Sequence, residues 1–335
     1  MSAAALQTPT SATRQAALRG AGPVLILAAA ALLIGAALPW IVASRLTLSL
    51  ATQALIDALL ATSVGFLILQ NGRVSFGQAA FFGFGGYAFG ILVARKLVPA
   101  EIAIVLALTL PAALAFLLGT VFARLTGVAH AMLTLAVGQA FYEVAFRWRE
   151  LAKGDDGMSF DLPPRIFGFA SANLQNPVVM VVVTWSILVC SLLCLWGFAR
   201  TRTGRVAAAI RDNEDRARFI GHDTLIPRAL VYAIAGFLAA LAGFLQAAYN
   251  GYIAPQMFHW SLSGIALIMA VVGGARFIVG PAIGAVCFFV LKDAAGRYAE
   301  YWPAIVGVVL VVATLLMPQG IVGVVERLRP RRRRA

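Results

Sequence analysis

The chain has 335 residues, of which 61% are hydrophobic and 12% are charged, and its formal net charge is +13. An ordinary soluble domain is nearer half apolar and a quarter charged, so this composition excludes that class. Apolar runs of roughly 20 residues recur along the chain, the length at which a helix crosses a bilayer. The sequence therefore predicts an all-α, polytopic transmembrane helical bundle.

The predicted elements begin after residues 1–21, an Ala/Ser/Thr-rich stretch that we expect to be a disordered cytoplasmic N-terminus. The apolar run that follows is long for a signal peptide and leads at once into another run, so it is interpreted as an uncleaved first helix. Residues 22–318 form the predicted transmembrane domain, followed by a basic cytoplasmic tail, 319–335. About ten spans are expected, near 22–43, 48–70, 75–94, 101–123, 128–146, 177–198, 228–249, 259–274, 278–295 and 303–318.

The distribution of Lys and Arg predicts the orientation of the spans. Ten spans place both termini on one side, and the basic residues favour that side roughly two to one. Both termini and the loop 200–228 are therefore expected in the cytoplasm, with the loop 147–176 outside. The arginines at 331–334 favour membrane lipid over nucleic acid as their partner. The spans 259–274 and 278–295 are short, so a re-entrant segment is an open alternative.

Two glycine-rich stretches resemble each other, residues 71–90 and 274–293, in that Arg73 aligns with Arg276 and Gly77 with Gly280. Duplicated halves are common in transporters, although chance agreement between two small-residue helices is the alternative. The glycines are expected above all to allow close approach of helix backbones.

Polar residues inside predicted spans are candidates for a translocation pathway, because polar groups at that depth are costly. Ser75 and Gln78 start one span, where glycine permits a helix break that exposes backbone groups. The alternative is a structural role in helix packing. The predicted pathway residues are Ser75, Gly77, Gln78, Phe81, Phe82, Thr134, Gln139 and Glu143.

The external loop contains two adjacent carboxylates between glycines, Gly154, Asp155, Asp156 and Gly157. This pattern predicts a tight exposed turn that could meet a solute or a periplasmic partner, and a solvated turn is the alternative. Adjacent carboxylates repel each other and seldom form a metal site alone.

Residues 200–228 form the one long polar, helix-forming segment between two strongly apolar ones. Val206, Ala209, Ile210, Ala217 and Ile220 recur at helical spacing, which predicts a short amphipathic helix bracketed by Gly204 and Gly221. Two interpretations stay open on the residues alone: a surface for a partner protein, or a solvated loop whose arginines set the topology.

Motifs for catalysis and metal binding are missing from the sequence. Neither E-x-x-H nor H-x-x-H joins the histidines, no G-x-S-x-G surrounds a serine, and no GxxxxGK[ST] occurs. The three cysteines lie inside apolar runs. No catalytic residue, metal site or cofactor is therefore expected in this chain.

Several stretches together resemble, in the same order, the permease subunit of bacterial branched-chain amino acid ABC importers, the LivM type. They are NGRVSFGQAAFFGFGGYAFG, AMLTLAVGQAFYEVAF, KGDDGM, GRVAAAIRDNEDRARFIGHD and VVGGARFIVGPAIGAV, and the resemblance covers about residues 25 to 318. It implies a second homologous permease subunit, two cytoplasmic ATPase subunits that use ATP, and a periplasmic substrate-binding protein, all acting at the cell inner membrane.

By this resemblance, the segment 200–228 is the helix that couples the permease to the ATPases. The residues expected there are Gly204, Arg205, Ile210, Arg211, Asp212, Asn213, Glu214, Ala217 and Gly221. One departure is that Ala275, Arg276, Phe277, Ile278 and Val279 stand where the family tends to have small residues, which leaves the solute open.

Two other functions compete with the ABC permease. A secondary transporter driven by an ion gradient would need buried ionisable groups along its path, and Asp57 and Glu143 keep that hypothesis open. A membrane-embedded enzyme would need a nucleophile, paired carboxylates or a metal cluster, and the sequence shows none of the three.

Overall fold

The computed structural model describes residues 24, 26–37, 39, 44–166, 168–298, 304, 307, 308, 317 and 319–328. Most of the predicted tenth span, 303–318, the predicted N-terminal segment 1–21 and the last residues of the tail, 329–335, therefore lie outside the described residues. The long helices are α1 (Ile26–Ala37), α2 (Arg45–Asn71), α3 (Gln78–Ala94), α4 (Ala100–Phe122), α5 (Gly127–Arg147), α8 (Pro177–Arg200), α11 (Leu225–Asn250), α12 (Trp260–Gly273) and α13 (Gly280–Tyr298). The shorter helices are α6 (Arg149–Ala152), α7 (Ala172–Gln175), α9 (Arg202–Asp212), α10 (Glu214–Phe219) and α14 (Gly320–Leu328).

The prediction of an all-α polytopic bundle is confirmed. Among the described residues, four helices are long and apolar enough to cross a membrane: α2, α4, α8 and α11. The strands are only two residues long each, in two antiparallel pairs: β1 (Met158–Ser159) with β4 (Tyr252–Ile253), and β2 (Arg165–Ile166) with β3 (Phe169–Ala170).

The core lies where α11 packs against α2, α3 and α4. Glycine makes this packing close: a Cβ added to Gly243 of α11 would lie 1.8 Å from the carbonyl oxygen of Phe82, and one added to Gly85 of α3 would lie 2.3 Å from that of Ala240. No side chain fits at such distances, so the α3 and α11 backbones touch. The prediction that the glycines of 71–90 serve helix packing is confirmed at Gly85.

Two ends of the bundle can be distinguished. The basic end carries α9 and α10, together with the end of α4 and the start of α5. The opposite end carries the turn Gly154–Asp156 and the strand pair β1–β4. Helices α2, α8 and α11 run from one end to the other.

The first break in the bundle is the non-helical segment 72–77 between α2 and α3. At its start, the Arg73 guanidinium bonds the carbonyl oxygens of Phe122 and Ala123, where α4 ends. At its end, the backbone N–H of Phe76 donates to Thr134 Oγ1 at 3.2 Å. Thr134 lies seven residues into α5, or about 10 Å at 1.5 Å per residue. The chain therefore re-enters the bundle before α3 begins.

The second break, residues 251–259, enters from the opposite end. It descends along α3, with Ile253 beside Gly90, Met257 beside Gly86 and Phe258 beside Gly83. Helix α12 then begins inside the bundle, and its 14 residues rise about 21 Å, less than the roughly 30 Å of a hydrocarbon core. In place of a full span at 259–274, the structure therefore has a helix of about two-thirds of that thickness, preceded by a non-helical segment that enters the bundle.

The two stretches that resemble each other in sequence also share local structure. Each follows a helix that ends at a glycine in the left-handed region, Gly72 with φ 66° and Gly274 with φ 108°. A short non-helical segment follows, and a new helix starts, α3 at Gln78 and α13 at Gly280. The two helices also start at aligned positions to within a residue, as an internal duplication would require.

Candidate functional site

The polar segment 200–228 forms two helices, not the single helix that the sequence predicts. Helix α9 begins at Arg202, where Thr201 Oγ1 accepts a bond from the N–H of Gly204 at 3.1 Å. Asn213 then adopts an extended backbone with φ −160°, and its side chain caps α10 by accepting from the N–H of Arg216 at 2.8 Å. A capping side chain stabilises a new helix start. Gly204 therefore lies in the first turn of α9, and the prediction that it marks the start of the helix from outside was wrong.

The break at Asn213 also changes which apolar residues face the bundle. Gly204, Ala207, Ile210 and Ala217 are buried. Ile220, which the helical spacing assigned to the same face, is 70% exposed beyond the end of α10. The predicted face holds for Ile210 and Ala217 and is wrong for Ala209, which is exposed, and for Ile220. A single helical period does not continue across an extended residue, which accounts for Ile220.

Glu214 lies at the centre of an ion-pair cluster that fastens α10 to the membrane bundle. Its Oε2 accepts from Arg228 Nη1 at 2.6 Å and lies 3.5 Å from Arg73 Nη2, while Oε1 accepts from Arg218 Nη2 at 2.8 Å. The side chains of Arg228 and Arg73 are only 5% and 11% exposed. We call Arg73, Glu214, Arg218 and Arg228 the Glu214 cluster.

The charges of the cluster set the ionisation of its members. Burial acts to raise the pKa of Glu214, but the hydrogen bond and charge of Arg228, with the charges of Arg218 and Arg73, outweigh it and lower that pKa. Burial and the neighbouring Arg228 lower the pKa of Arg73, and Glu214 opposes that shift. The carboxylate is thus ionised at neutral pH and holds two buried guanidinium groups.

The cluster joins α10 to the first break. Arg73 lies in segment 72–77, and Arg211 of α9 donates to the carbonyl oxygen of Leu69 at 2.5 Å, near the end of α2. These contacts therefore join α9 and α10 directly to the residues that precede α3. Neither Arg73 nor Arg228 was among the predicted site residues. The sequence feature that could have identified them is their charge, because Arg73 follows one strongly apolar run and Arg228 opens another.

The outward surface of α9 and α10 combines polar and apolar groups. Among the predicted residues, Arg205, Arg211, Asp212, Asn213 and Gly221 are exposed. Phe219 is 91% exposed and adjoins Ile220, at 70%. Two large apolar side chains in this position form a surface suited to a partner protein. Phe219 was not among the predicted site residues.

The first break brings several predicted pathway residues together. Gly77 and Thr134 are in contact, and the N–H of Gly77 donates to Ser75 Oγ at 3.2 Å. The N–H of Ala79 donates to Ser263 Oγ at 2.8 Å, so the starts of α3 and α12 cross here. Both amide atoms of Gln78 are buried without a hydrogen-bond partner among the described residues. Phe81 and Phe82 are buried in the adjoining turn of α3.

Gln139 and Glu143 stand apart from this crossing. They lie further along α5, where Gln139 is half-buried and the Glu143 side chain is 46% exposed and bonds Arg147 at 3.1 Å. Ser263 also lies at the crossing, although it was not among the predicted site residues. The sequence feature that could have identified it is a serine in a short apolar run.

The turn at Gly154–Gly157 has the tight form that the sequence predicts. Gly154 and Gly157 have positive φ angles, 63° and 66°, and the Asp155 and Asp156 side chains are exposed. The turn packs on the second break, since Tyr252 Oη donates to the carbonyl oxygen of Asp156 at 2.8 Å. The turn therefore contacts the segment that leads into α12.

The described residues contain no group of three or more His, Cys, Asp or Glu side chains that could hold a metal ion. His130 is buried and bonds the carbonyl oxygen of Phe122 and the hydroxyl of Tyr232, while His259 caps α12. These contacts give both histidines structural roles at helix ends.

Comparison with known proteins identifies relatives along most of the chain. The family model described as branched-chain amino acid transport system / permease component matches residues 46–316. The high-affinity branched-chain amino acid transport system permease protein LivM of Salmonella typhimurium is 25% identical over 312 residues, 87% of this chain and 73% of LivM. LivH of the same organism is 31% identical over 148 residues, 43% of this chain and 47% of LivH.

One relative is named for the import of a different kind of solute. The autoinducer 2 import system permease protein LsrC of Salmonella paratyphi B is 34% identical over 117 residues, 34% of each chain. No solved structure matches this chain.

Proposed function

Since the chain belongs to the branched-chain amino acid transport system permease family, we propose that it moves branched-chain amino acids or related neutral amino acids across the bacterial inner membrane. It is a multi-pass permease of an ABC importer. The energy would come from ATP bound and hydrolysed by two cytoplasmic ATPase subunits. A second permease subunit of the same family and a periplasmic binding protein complete the proposed assembly.

The observation that carries this proposal is the attachment of α9 and α10 to the first break. An ABC permease must convert a movement of its ATPases into a movement of its spans, which needs two states that the ATPases bind differently. The exposed surface around Phe219 and Ile220 supplies a docking site, and the Glu214 cluster connects that site to the start of α3. The basic end then lies in the cytoplasm, as the excess of Lys and Arg on that side supports.

The opposite end would face the periplasm and receive the binding protein at the Gly154–Gly157 turn. Ser75, Gly77, Gln78 and Thr134, with Ser263, would line the pathway where the two breaks cross. Interrupted helices place unpaired backbone groups and helix termini inside the membrane, which is where transporters bind polar solutes. Gln139 and Glu143 would line its outer part along α5.

The experiment that tests the proposal is recovery of the assembly from its native membrane. The tagged chain is extracted in mild detergent, and mass spectrometry identifies the proteins that come with it. We expect a second permease and two P-loop ATPases. A chain that comes out folded, monodisperse and alone would contradict the proposal.

Matched variants show whether the ATPases dock where we propose. The double change Phe219→Ala, Ile220→Ala should reduce ATPase recovery, because a few buried apolar side chains carry most of the energy of an interface. His222→Ala is the control, since His222 is exposed in the same loop. Equal ATPase recovery by the double variant and the control would place the docking surface elsewhere.

A further inference from the structure

A cavity with an aromatic lining lies between α3 and α5, next to the second break. Five of its lining residues are aromatic: Phe84, Tyr87, Phe141, Trp148 and Phe258. Its volume is about 190 Å³. An apolar protein cavity of roughly 150 Å³ is large enough to bind benzene. The aromatic cavity, as we call it, therefore has the size and the surface to enclose one large apolar group.

Phe258 brings the second break into the wall of the aromatic cavity. Its ring is nearly parallel to that of Phe141, at an interplanar angle of 7° with centroids 6.3 Å apart, and it meets the ring of Tyr87 edge-on at 4.9 Å. Gly83 makes this position possible, because a Cβ added there would lie 2.5 Å from the Phe258 ring. The shape of the cavity therefore depends on the second break, which continues into α12 and the crossing.

A charged pair lies at the mouth of the aromatic cavity. Glu143 and Arg147 of α5 form an ion pair at 3.1 Å, and their side chains are 46% and 82% exposed. Together with Val144 and Trp148 they line an outer cavity, and these two residues also line the aromatic cavity. The apolar space and the charged pair therefore adjoin each other, so that one bound molecule can contact both.

Another apolar cavity of the bundle lacks such a pair. It lies between α8 and α11, has a volume of about 320 Å³, and includes Cys190, Phe198 and Phe237 in its lining. The described residues that line it carry no charge. Binding sites for small molecules combine an apolar lining with a few polar groups that fix the orientation of the ligand. The aromatic cavity, with Glu143 and Arg147 at its mouth, has this combination.

The ion pair at the mouth can open at little cost. Exposed pairs of this kind contribute little to stability, because water screens both charges. A zwitterionic amino acid offers an ammonium group to Glu143 and a carboxylate to Arg147, so each side chain exchanges one partner for another. The guanidinium group of arginine can bind a carboxylate through two parallel N–H···O bonds. Neither charge is left uncompensated when the solute enters.

This site lies at the outer end of the proposed path. Glu143 is nine residues along α5 from Thr134, which is at the crossing, and that separation is about 14 Å. In the other direction α5 ends at Arg147, and the Gly154–Gly157 turn packs on this end. A Cβ added to Gly154 would lie 2.8 Å from the carbonyl oxygen of Phe146. A solute released at the turn would therefore meet this site before it met the crossing.

We propose that the aromatic cavity holds the side chain of the transported amino acid while Glu143 binds its ammonium group and Arg147 its carboxylate. This inference rests on the proposed function and names the solute class within it: neutral amino acids with a large apolar side chain. A charged side chain would be excluded, because burying an unpaired charge is costly. A lipid chain and the second permease are the competing occupants of the cavity, and neither needs the two charges.

The test follows the protection of a cysteine at the cavity mouth. Val144→Cys, at a 52% exposed position shared by the two cavities, is made in a chain whose three native cysteines are replaced by serine. The whole importer is placed in lipid nanodiscs. The cysteine should react with a membrane-impermeant thiol reagent, and leucine or phenylalanine should slow that reaction, whereas lysine should not. Val128→Cys, exposed near the opposite end of α5, is the control, and leucine should leave its reaction unchanged.

Two results of this labelling would overturn the inference. If the cysteine at position 144 does not react, lipid or the second permease covers the cavity mouth. If it reacts at the same rate with and without leucine, the cavity is open but holds no solute.

Charge variants in the same background test the head-group contacts. Glu143→Gln and Arg147→Gln each remove one charge-assisted contact, so the leucine concentration that gives half-maximal protection should rise about tenfold. Glu150→Gln and Arg165→Gln remove exposed charges of the same signs from the same end of the bundle, and they should leave that concentration unchanged. Equal concentrations in the charge variants and the controls would exclude the head-group contacts.

A change of cavity size separates a solute site from a structural space. Ala88 lines the aromatic cavity, so Ala88→Leu fills part of it. Protection by phenylalanine should then weaken about tenfold more than protection by valine, whose side chain is smaller. A general loss of stability would weaken both alike, and equal weakening would contradict the inference.

The outcomes also distinguish the two proposals. If the wild-type importer, supplied with binding protein and ATP, takes up no amino acid, the proposed function itself fails. If it takes up leucine but leucine does not protect Val144→Cys, the proposed function stands and the inference about the aromatic cavity is wrong.

Discussion

At the scale of single residues, Glu214 and its neighbour Asp215 carry the same charge on one short helix but differ in what they contact. The Glu214 carboxylate is 23% exposed and bonds Arg228 and Arg218, with Arg73 close by, whereas Asp215 is exposed. A carboxylate that neutralises buried guanidinium groups is costly to remove, because the charges that it leaves behind are uncompensated.

Glu214→Gln should therefore weaken the attachment of α10 to the bundle by about 3 kcal/mol. This lowers the equilibrium constant for that attachment about a hundredfold. The measurement is the amount of solute taken up per ATP hydrolysed in the reconstituted importer, which should drop. Asp215→Asn is the matched control and should leave this ratio near that of the wild type. Equal ratios in the two variants would exclude the Glu214 cluster as the connection between ATPases and spans.

The same residue predicts how stability depends on pH. Because the pKa of Glu214 is lowered in the folded protein, its contribution to stability is fully present above the ordinary value of 4.5. It is lost as the pH falls from 4.5 through the lowered pKa. The thermal midpoint of the purified chain should thus fall more steeply below pH 4.5 in the wild type than in Glu214→Gln. Equal decreases of the two thermal midpoints below pH 4.5 would contradict this expectation.

The sequence predicted Glu214 as a site residue, but the expectation that its side chain faces the ATPases was wrong. The resemblance to the LivM type implies that this stretch faces the ATPases, while the structure turns Glu214 toward Arg73 and Arg228. Arg73 is 141 residues away in the chain, so no local pattern could have paired them. Long-range ion pairs depend on how helices are arranged in space, and periodicity carries no information on that arrangement.

At the scale of helices and segments, the spans were predictable and the breaks only partly so. The length and apolar composition of α2, α4, α8 and α11 are strong signals, and their bounds lie within a few residues of the predicted spans. The break before α3 was signalled by the glycines around Ser75 and Gln78. The segment 251–259 was left between two predicted spans, but its entry into the bundle was not predicted, because Gly251 and Pro255 signal a break in the helix and not its depth.

Close contact between α3 and α11 gives a prediction at this scale. Gly243→Ala should destabilise the chain by about 1–3 kcal/mol, because its Cβ would meet the backbone of Phe82 and force the helices apart. Gly197→Ala in α8 is the control, as nothing lies within 4 Å of its added Cβ. That change should be neutral or stabilise by about 0.5–1 kcal/mol. Thermal unfolding in one detergent compares them, and equal midpoints would refute the close packing.

At the scale of the whole molecule, contacts run from one end of the bundle to the other. The Gly154–Gly157 turn bonds Tyr252, which opens the second break, and that break leads to the crossing of α3 and α12 at Ala79 and Ser263. From there the first break reaches Arg73 and the Glu214 cluster. Each step joins a non-helical segment to a helix start, and such segments absorb changes in backbone angle more easily than continuous helices do. The arrangement thus provides a continuous series of contacts from one end of the bundle to the other.

This continuity predicts what the acidic turn does when a binding protein docks. Asp155→Asn with Asp156→Asn removes two exposed charges, which chiefly affect the rate of encounter. ATP hydrolysis stimulated by the binding protein should fall about tenfold at low ionic strength, and the difference should shrink near 0.15 M salt, where charges about 8 Å apart are screened. Asp161→Asn is the control, being an exposed carboxylate in the same loop but outside the turn. If the double variant and the control were stimulated equally at every salt concentration, the binding protein would have to dock on another part of this face, and the contact between Tyr252 and Asp156 would serve the fold alone.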